Sequence, residues 1–562
     1  MPTTGGPHRV RSLVPTAPID PAAGPKLVLA GRLVTMDEQF TVIDDGVLYL
    51  DAGRIVAAQD AAAPPPGGFE DVGVVDVAGT IYPGLIELHN HLAYDALQLW
   101  QVPKRYTNRD QWGSSGNPEY RPLISGPMKL IGPDPQLMPA VVRYVECKAL
   151  VAGTTTSQGI ELFSNKGARR LYRGNIRNVE ETDDPELPGA GTRIGDVDAD
   201  DAPSFLNALL RKRCYLLHLS EGTDEAAHDH FLALRLADDE WAIADMLAGI
   251  HCAALTAEDF EVLARYDASM VWSPLSNLLL YGQTAKVKEA KQAGVKIGLG
   301  SDWSPSGSKN LLGELKVARL ASHAAGDVFA DRELVAMATR TAAKILKWDK
   351  ALGSLEKDKR PDLLVVDGKD GDPYEHLLTA DERDVKLVAV GGVARYGQRS
   401  LVTRLGGEGL EEVRVGGRDR VLNLRQRTAD PAVGRLSLGE ARERLTDALR
   451  NLKQLAERAE RAGTPLHAML ATADEDEVRW GLALDELEPT GVELRPRVPL
   501  PGQTTPTGPS LITAAPAKPL SEVVRPLKLD HLTVADDSGW LEAIEQEGNL
   551  PDWLAPGLRE LY

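Results

Sequence analysis

Cysteine is scarce. Only Cys147, Cys214 and Cys252 occur in 562 residues, none in C-x-x-C spacing, which argues against a disulfide framework or a thiolate zinc knuckle and for a reducing compartment. No stretch approaches the roughly 18 uninterrupted apolar residues of a membrane span, and the opening MPTTGGPHRVRSL has no apolar core of signal-peptide length. A soluble cytoplasmic protein is the expectation. Basic residues are outnumbered too: 63 Lys and Arg against 82 Asp and Glu leave a formal net charge of -19, which disfavours nucleic acid or an anionic membrane as partner. A small molecule is the expected partner, and assembly with further copies of the chain stays open.

What the chain does have is histidine in unusual company. His89 and His91 (YPGLIELHNH), His218 (CYLLHLSEG) and His251 (AGIHCAAL) each close a run of Leu, Ile, Val and Gly, and Asp302 closes a further one, IGLGSDWS. Such runs read as buried parallel strands, which deliver catalytic residues at their C-terminal ends. His89 and His91 are two apart, so on a strand they share a face and can hold one ion. A lone buried histidine is more often a hydrogen-bonded core residue than a ligand. Five polar groups, each at a strand end, are hard to place in an inert core and read together as one metal site.

The first 25 residues, rich in Pro, Gly and Thr, read as a disordered lead. Short strands follow at Lys26–Ala30, Leu33–Met36, Gly46–Leu50 and Arg54–Ala57, with DDG and DAG as turns, making a small antiparallel sheet. A β pattern returns at Gly353–Asp367 and Val385–Gly397, and because neither part buries a core alone, the two should pair across the intervening domain. Residues 84–346 alternate strands with helical stretches. The strands are Leu85–His89, Gly153–Gln158, Asn175–Val179, Thr192–Val197, Cys214–His218, Leu247–His251, Ser269–Ser273 and Lys296–Ser301. They fit a (β/α)8 barrel, with Glu258–Tyr266, Ala285–Ala293 and Asp331–Lys347 as the clearest helices. Only EETDDPELPGAG separates the third and fourth strands, so a helix is missing there. An insertion, residues 95–137, follows the HxH strand and carries Trp100, Lys104, Arg105, Tyr106, Trp112 and Tyr120 over the barrel mouth.

Beyond residue 400, Ser437 and Glu440 form a capping box, and Leu438, Leu445, Leu449, Leu452 and Leu455 mark one helical face up to Gly463. That face needs a partner, either this chain's barrel or a neighbouring subunit. Pro489–Pro519 reads as a linker, and LKLDHLTVADDSGWLEAIEQ as a docked segment anchored by Trp540, without chemistry of its own.

PGLIELHNH, AGTTTSQG, HLSEG, GIHC, SPLSN, GLGSD and the closing GSLEKDKRPDLLVVD, in that order, resemble the amidohydrolase superfamily, in its deaminase and triazine-hydrolase branch. The resemblance covers roughly residues 26–400. It implies an α/β fold in which a distorted (β/α)8 TIM barrel, residues 84–346, stands beside a composite N-/C-terminal β-sandwich, residues 26–83 plus 347–400. Residues 401–562 would be a C-terminal extension. It further implies a divalent metal held by His89, His91, His218 and Asp302. Relatives with two metals use a lysine ending the fourth strand, and TRIGDV has none, so one ion per chain is expected. Zn2+ is the first choice and Fe2+ the second.

An ion held by neutral imidazoles lowers the pKa of a water molecule from about 16 towards about 7. The resemblance makes Asp302 both ligand and base, Glu221 of HxxE the proton shuttle, and His251 the group that polarises substrate. Trp100, Arg105, Tyr106, Asn277 and Trp303 are candidates for substrate contact. Ser276 could orient a ligand, and Ser304 could line the pocket. The turn SDWSPSGSKN departs from the turns of adenosine-type deaminases, which argues against a nucleoside. The expected reaction is hydrolysis of a non-peptide C–N bond in a small cyclic or heterocyclic substrate, with deamination first. Opening of a lactam or imidazolone ring, or hydrolysis of an acyclic amide, is the enzymatic alternative, and a non-catalytic scaffold is the alternative of a different class.

Overall fold

The computed structural model describes residues 25–113, 117–182, 184–237, 239–425, 431–461, 478–484 and 518–562. All but the last residue of the expected lead, and nearly all of the expected linker, lie outside these.

Nine strands form one hydrogen-bonded sheet. In spatial order they are Glu411–Val415, Arg418–Leu422, Val393–Gly397, Val385–Val390, Leu363–Asp367, Val74–Pro83, Leu27–Val34, Val42–Asp51 and Arg54–Asp60. The two β segments that flank the barrel residues do meet: Leu364 pairs with Tyr82 and Val366 with Thr80, antiparallel. Three expectations change. Leu27–Val34 is a single strand with an irregularity between Gly31 and Leu33, not two strands. It runs parallel to Val74–Pro83, so the sheet is mixed rather than antiparallel. The sheet also passes residue 400, gaining the hairpin Glu411–Leu422 from what reads in sequence as the extension. Gly31 is required at the irregularity, since a Cβ there would sit 2.7 Å from the Gly79 carbonyl oxygen.

The metal-ligand candidates stand on eight parallel strands, in a TIM-barrel-like α/β unit. Leu85–Ile86, Thr154–Ser157 and Arg177–Asn178 pair in one group; Gly191–Arg193, Tyr215–Leu219, Leu247–His251, Ser269–Trp272 and Lys296–Leu299 in the other. Backbone hydrogen bonds link the groups: Ala190 N to Val179 O at 2.8 Å on one side, and Leu88 N to Leu299 O at 3.2 Å, Asp302 N to His89 O at 3.1 Å and His91 N to Asp302 O at 2.5 Å on the other. As the short spacing implies, the described residues between the third and fourth strands form no helix, and Trp348 packs there, donating its indole N–H to Pro188 O. The helix expected over Asp331–Lys347 is two, Asp331–Met337 and Arg340–Ile345. Thr339 breaks it, turning its hydroxyl back onto Val335 O while Ala338 O accepts the N–H of Ile86.

The leucine-marked helix is likewise divided at Asn451, into Leu438–Arg450 and Leu452–Arg461. Its partner is this chain's own helix Met138–Val151, whose Arg143 donates to Leu436 O and Val433 O at the entry to the capping box. Residues 518–562 carry the helices Ser538–Glu545 and Leu554–Leu561, with Trp540 buried as expected. Among the described residues no helix is long and apolar enough to cross a membrane.

Candidate active site

His89 and His91 follow the first strand, His218 and His251 lie in the fifth and sixth, and Asp302 follows the eighth. All five converge. His89 Nε2 is 3.0 Å and His91 Nε2 3.5 Å from Asp302 Oδ1, and the Nε2 atoms of His91 and His218 are 3.3 Å apart. Donor atoms bound at about 2.0–2.1 Å around a tetrahedral ion stand about 3.3 Å from one another. Two overlapping triads, His89 with His91 and Asp302, and His89 with His218 and His251, each bring their ligand atoms within 4.8 Å of one another, a spacing that could hold a metal ion. His89 Nε2 is buried without an aligned hydrogen bond, and both His251 (φ 67) and Asp302 (φ 68) are held in the left-handed region. Strain of this kind in non-glycine residues gathers at functional sites.

Neighbours fix how each ligand presents itself. Gln158 Oε1 accepts the Asn90 N–H (3.0 Å), so it is an acceptor for His89 Nδ1 as well (2.8 Å), and the His89 Nε2 lone pair is left for an ion. Ser276 donates to Asp302 Oδ2 at 2.5 Å. Asn277 Nδ2 points at His251 Nδ1 (3.2 Å), which makes that nitrogen the acceptor and leaves the proton on His251 Nε2, 3.7 Å from Glu221. Glu221 Oε1 accepts the Tyr281 hydroxyl at 2.8 Å, and its Oε2 is 3.6 Å from Arg109.

Electrostatics follow from burial. It lowers the pKa of His89 and His218 and brings His251 down to about 4, so all three rings are neutral at pH 7 and able to ligate or to donate one proton. Burial opposes ionisation of Asp302 as well, but His89, His251 and His91 together outweigh that and hold the carboxyl below the ordinary range. Glu221 is raised because desolvation exceeds the pull of Arg109.

A cavity of about 240 Å³ opens over the cluster. His91, His218, Glu221, His251, Asp302 and Trp303 line it, all expected from sequence. Four expected substrate contacts do not. Trp100 stacks behind Trp112 and Tyr120, Tyr106 bonds Glu119, Arg105 is exposed beside Asn549 O, and Asn277 braces His251. Their places are taken by Tyr94, Arg109, Trp112 and Tyr120. Trp112 and Tyr120 stand out in the insertion by residue type. Nothing in sequence singles out Arg109, whose guanidinium donates to Ile194 O and Asp196 at 2.7 Å each. Gln158 and Tyr281 carried readable signals, a polar residue closing the second strand and a tyrosine at the end of the SPLSN helix.

Residues 220–395 match the model of the amidohydrolase family. The chain is 24% identical over 394 residues to a 5-methylthioadenosine/S-adenosylhomocysteine deaminase of Symbiobacterium thermophilum, covering 61% of this chain and 85% of that one. It is 27% identical over 392 residues to the enzyme of that name from Moorella thermoacetica, covering 62% and 86%. In fold it is similar to the atrazine chlorohydrolase of Arthrobacter aurescens complexed with zinc, at 19% identity and a TM-score of 0.52 over 76% of this chain and 99% of that one. With the motif order, these matches make the chain similar to proteins of the amidohydrolase family, whose model matches it over residues 220–395.

Proposed function

We propose that this protein is a metal-dependent hydrolase that releases ammonia from a small aminated heterocycle. The observation that carries the reading is Glu221, a buried carboxyl with a raised pKa, set 3.7 Å from the His251 N–H on the wall of a cavity that also exposes His91, His218 and Asp302. His89, His91, His218 and Asp302 would hold one divalent ion, with zinc the first choice. Bound there, the ion would supply an activated water at neutral pH. Asp302 takes the proton of the attacking water, which its low pKa permits only because the transfer is coupled to attack. Glu221, whose protonated form burial favours, gives its proton to a ring nitrogen, and the Tyr281 hydroxyl and Arg109 keep it aimed. His251 Nε2–H donates to the charge developing on the substrate. Trp112, Tyr120 and Trp303 offer flat faces to a ring, and about 240 Å³ is at the small end of ligand pockets, which suits one or two fused rings. The relatives' names as deaminases support the same chemistry. The eight strands are read as a distorted (β/α)8 barrel, with the nine-stranded sheet as its companion domain.

The test is a panel of aminated azines and purines with free ammonia as readout, alongside metal analysis. About one zinc per chain, lost in His89→Ala, and ammonia equal to substrate consumed are expected. Turnover without ammonia, with chloride or a ring-opened acid released instead, would remove deamination. Protein that neither holds nor takes up an ion would return the scaffold reading.

A further inference from the structure

We infer that Asp530, in the C-terminal extension and far outside the family match, is a positioning residue for this metal site. The proposal rests on the ligand set above but not on the identity of the substrate. Asp530 is 1% exposed and lies between two buried lysines. Lys148, from the helix Met138–Val151, reaches its Oδ2 at 2.5 Å and spends its other two protons on Asp95 O (2.9 Å) and Ser304 Oγ (2.7 Å). Lys309 pairs with its Oδ1 and with Asp537 at 2.9 Å. The Asp530 N–H donates to Ala96 O at 3.0 Å, and its carbonyl accepts the Tyr144 hydroxyl.

These contacts gather the two turns that carry the ligands. Asp95 follows His91 by four residues. Its carboxylate accepts the Ser304 N–H (2.7 Å) and the Asn90 amide (3.2 Å), and Asn90 stands between His89 and His91. Ser304 follows Asp302 by two, with Trp303 of the cavity wall between them. Asp302 is held at φ 68, a conformation that must be imposed from outside the residue. Without the Asp530 carboxylate, Lys148 and Lys309 would share buried space without their common counter-ion, and Lys148 could no longer be aimed at Ser304 and Asp95 together. A segment more than 200 residues after Asp302 thereby becomes part of the site's support. It also gives the unusual SDWSPSGSKN turn a reason: its Lys309 pairs directly with that segment, and its Ser304 is tied to Asp530 through Lys148.

The decisive variant is Asp530→Asn, which keeps shape and removes charge. Zinc affinity measured by chelator competition should fall 10- to 100-fold, the usual cost of losing support behind a ligand. Hydrogen exchange in peptides covering residues 300–310 should speed at least tenfold at temperatures where the variant is fully folded. Asp530→Glu should recover part of both. Faster exchange with zinc affinity unchanged would make Asp530 a mere anchor and overturn the proposal, as would both measurements unchanged. Should Asp530→Asn fail to fold, Ser304→Ala decides, because it cuts the Lys148 contact and leaves the extension docked: zinc affinity equal to that of the parent would overturn the proposal. Parent protein that binds no zinc would defeat the metal-dependent reading instead, and the exchange rates would then decide whether Asp530 holds the turn.

Discussion

Gln158 shows how much of a ligand's behaviour is set by a residue that never faces the cavity. Its side-chain oxygen receives both the Asn90 N–H and the His89 Nδ1 proton, so one group fixes the ring orientation and the tautomer of His89. Gln158→Leu should leave His89 Nδ1 without a partner and free the ring to turn. We expect a 10- to 100-fold loss of zinc affinity with little change in fold, read by chelator competition and circular dichroism. At this scale the sequence is informative where a residue closes a strand and silent elsewhere. His89, His91, His218, Glu221, His251 and Asp302 are legible because an apolar run stops at or just before each of them. Arg105 and Arg109 lie in the same irregular insertion, where no period of 2 or 3.6 tells which guanidinium turns inward. Arg109 turns in because Asp196 and Ile194 O, from the loop after the fourth strand, wait there for it.

Helix ends are decided by a few atoms, and Ser437 is the clearest case. Its hydroxyl accepts the Glu440 N–H while the Glu440 carboxylate reaches back to the Ser437 N–H, so the box legible in sequence is complete in the fold. Ser437→Ala should cost about 1 kcal/mol, seen as a lower denaturant midpoint, and leave turnover unchanged, since no residue of this helix lines the cavity. The breaks at Thr339 and Asn451 are less readable. Both interrupt an intact apolar period, and at Thr339 the break is imposed by an acceptor needed elsewhere, the Ala338 carbonyl that receives Ile86 N–H. The same limit explains the sheet. Alternation and turns reveal strands, but the parallel pairing of Leu27–Val34 with Val74–Pro83 is a choice of neighbour that local pattern does not encode.

At the scale of the molecule, several carboxyls are sealed beside the active site with their protons favoured. Burial raises Glu314 to about 8 and Glu87 to about 7. Glu314 accepts the Leu275 N–H at 3.1 Å at the start of the helix bearing Ser276 and Asn277, and it also receives the Ser308 hydroxyl. A carboxyl raised in the fold keeps its proton where the unfolded chain, titrating near 4.5, has released it. The folded state then binds more protons, and stability falls as pH climbs from about 4.5 to the folded value near 8. Buried imidazoles act with the opposite sign, losing stability as pH falls below their ordinary 6.5, so the net profile of the whole protein mixes both. Glu314→Gln isolates one contribution, since the amide keeps an oxygen for Leu275 and carries no titrating proton. Its stability relative to the parent should improve steadily between pH 5 and pH 8, by at least ~1–2 °C in unfolding midpoint across that window. Thermal unfolding of both proteins at the two pH values, with and without added zinc, gives the comparison. A difference that stays constant would mean that Glu314 is already ionised in the fold, and that the N-terminal turn of the SPLSN helix is held by a buried charge rather than by a neutral acid.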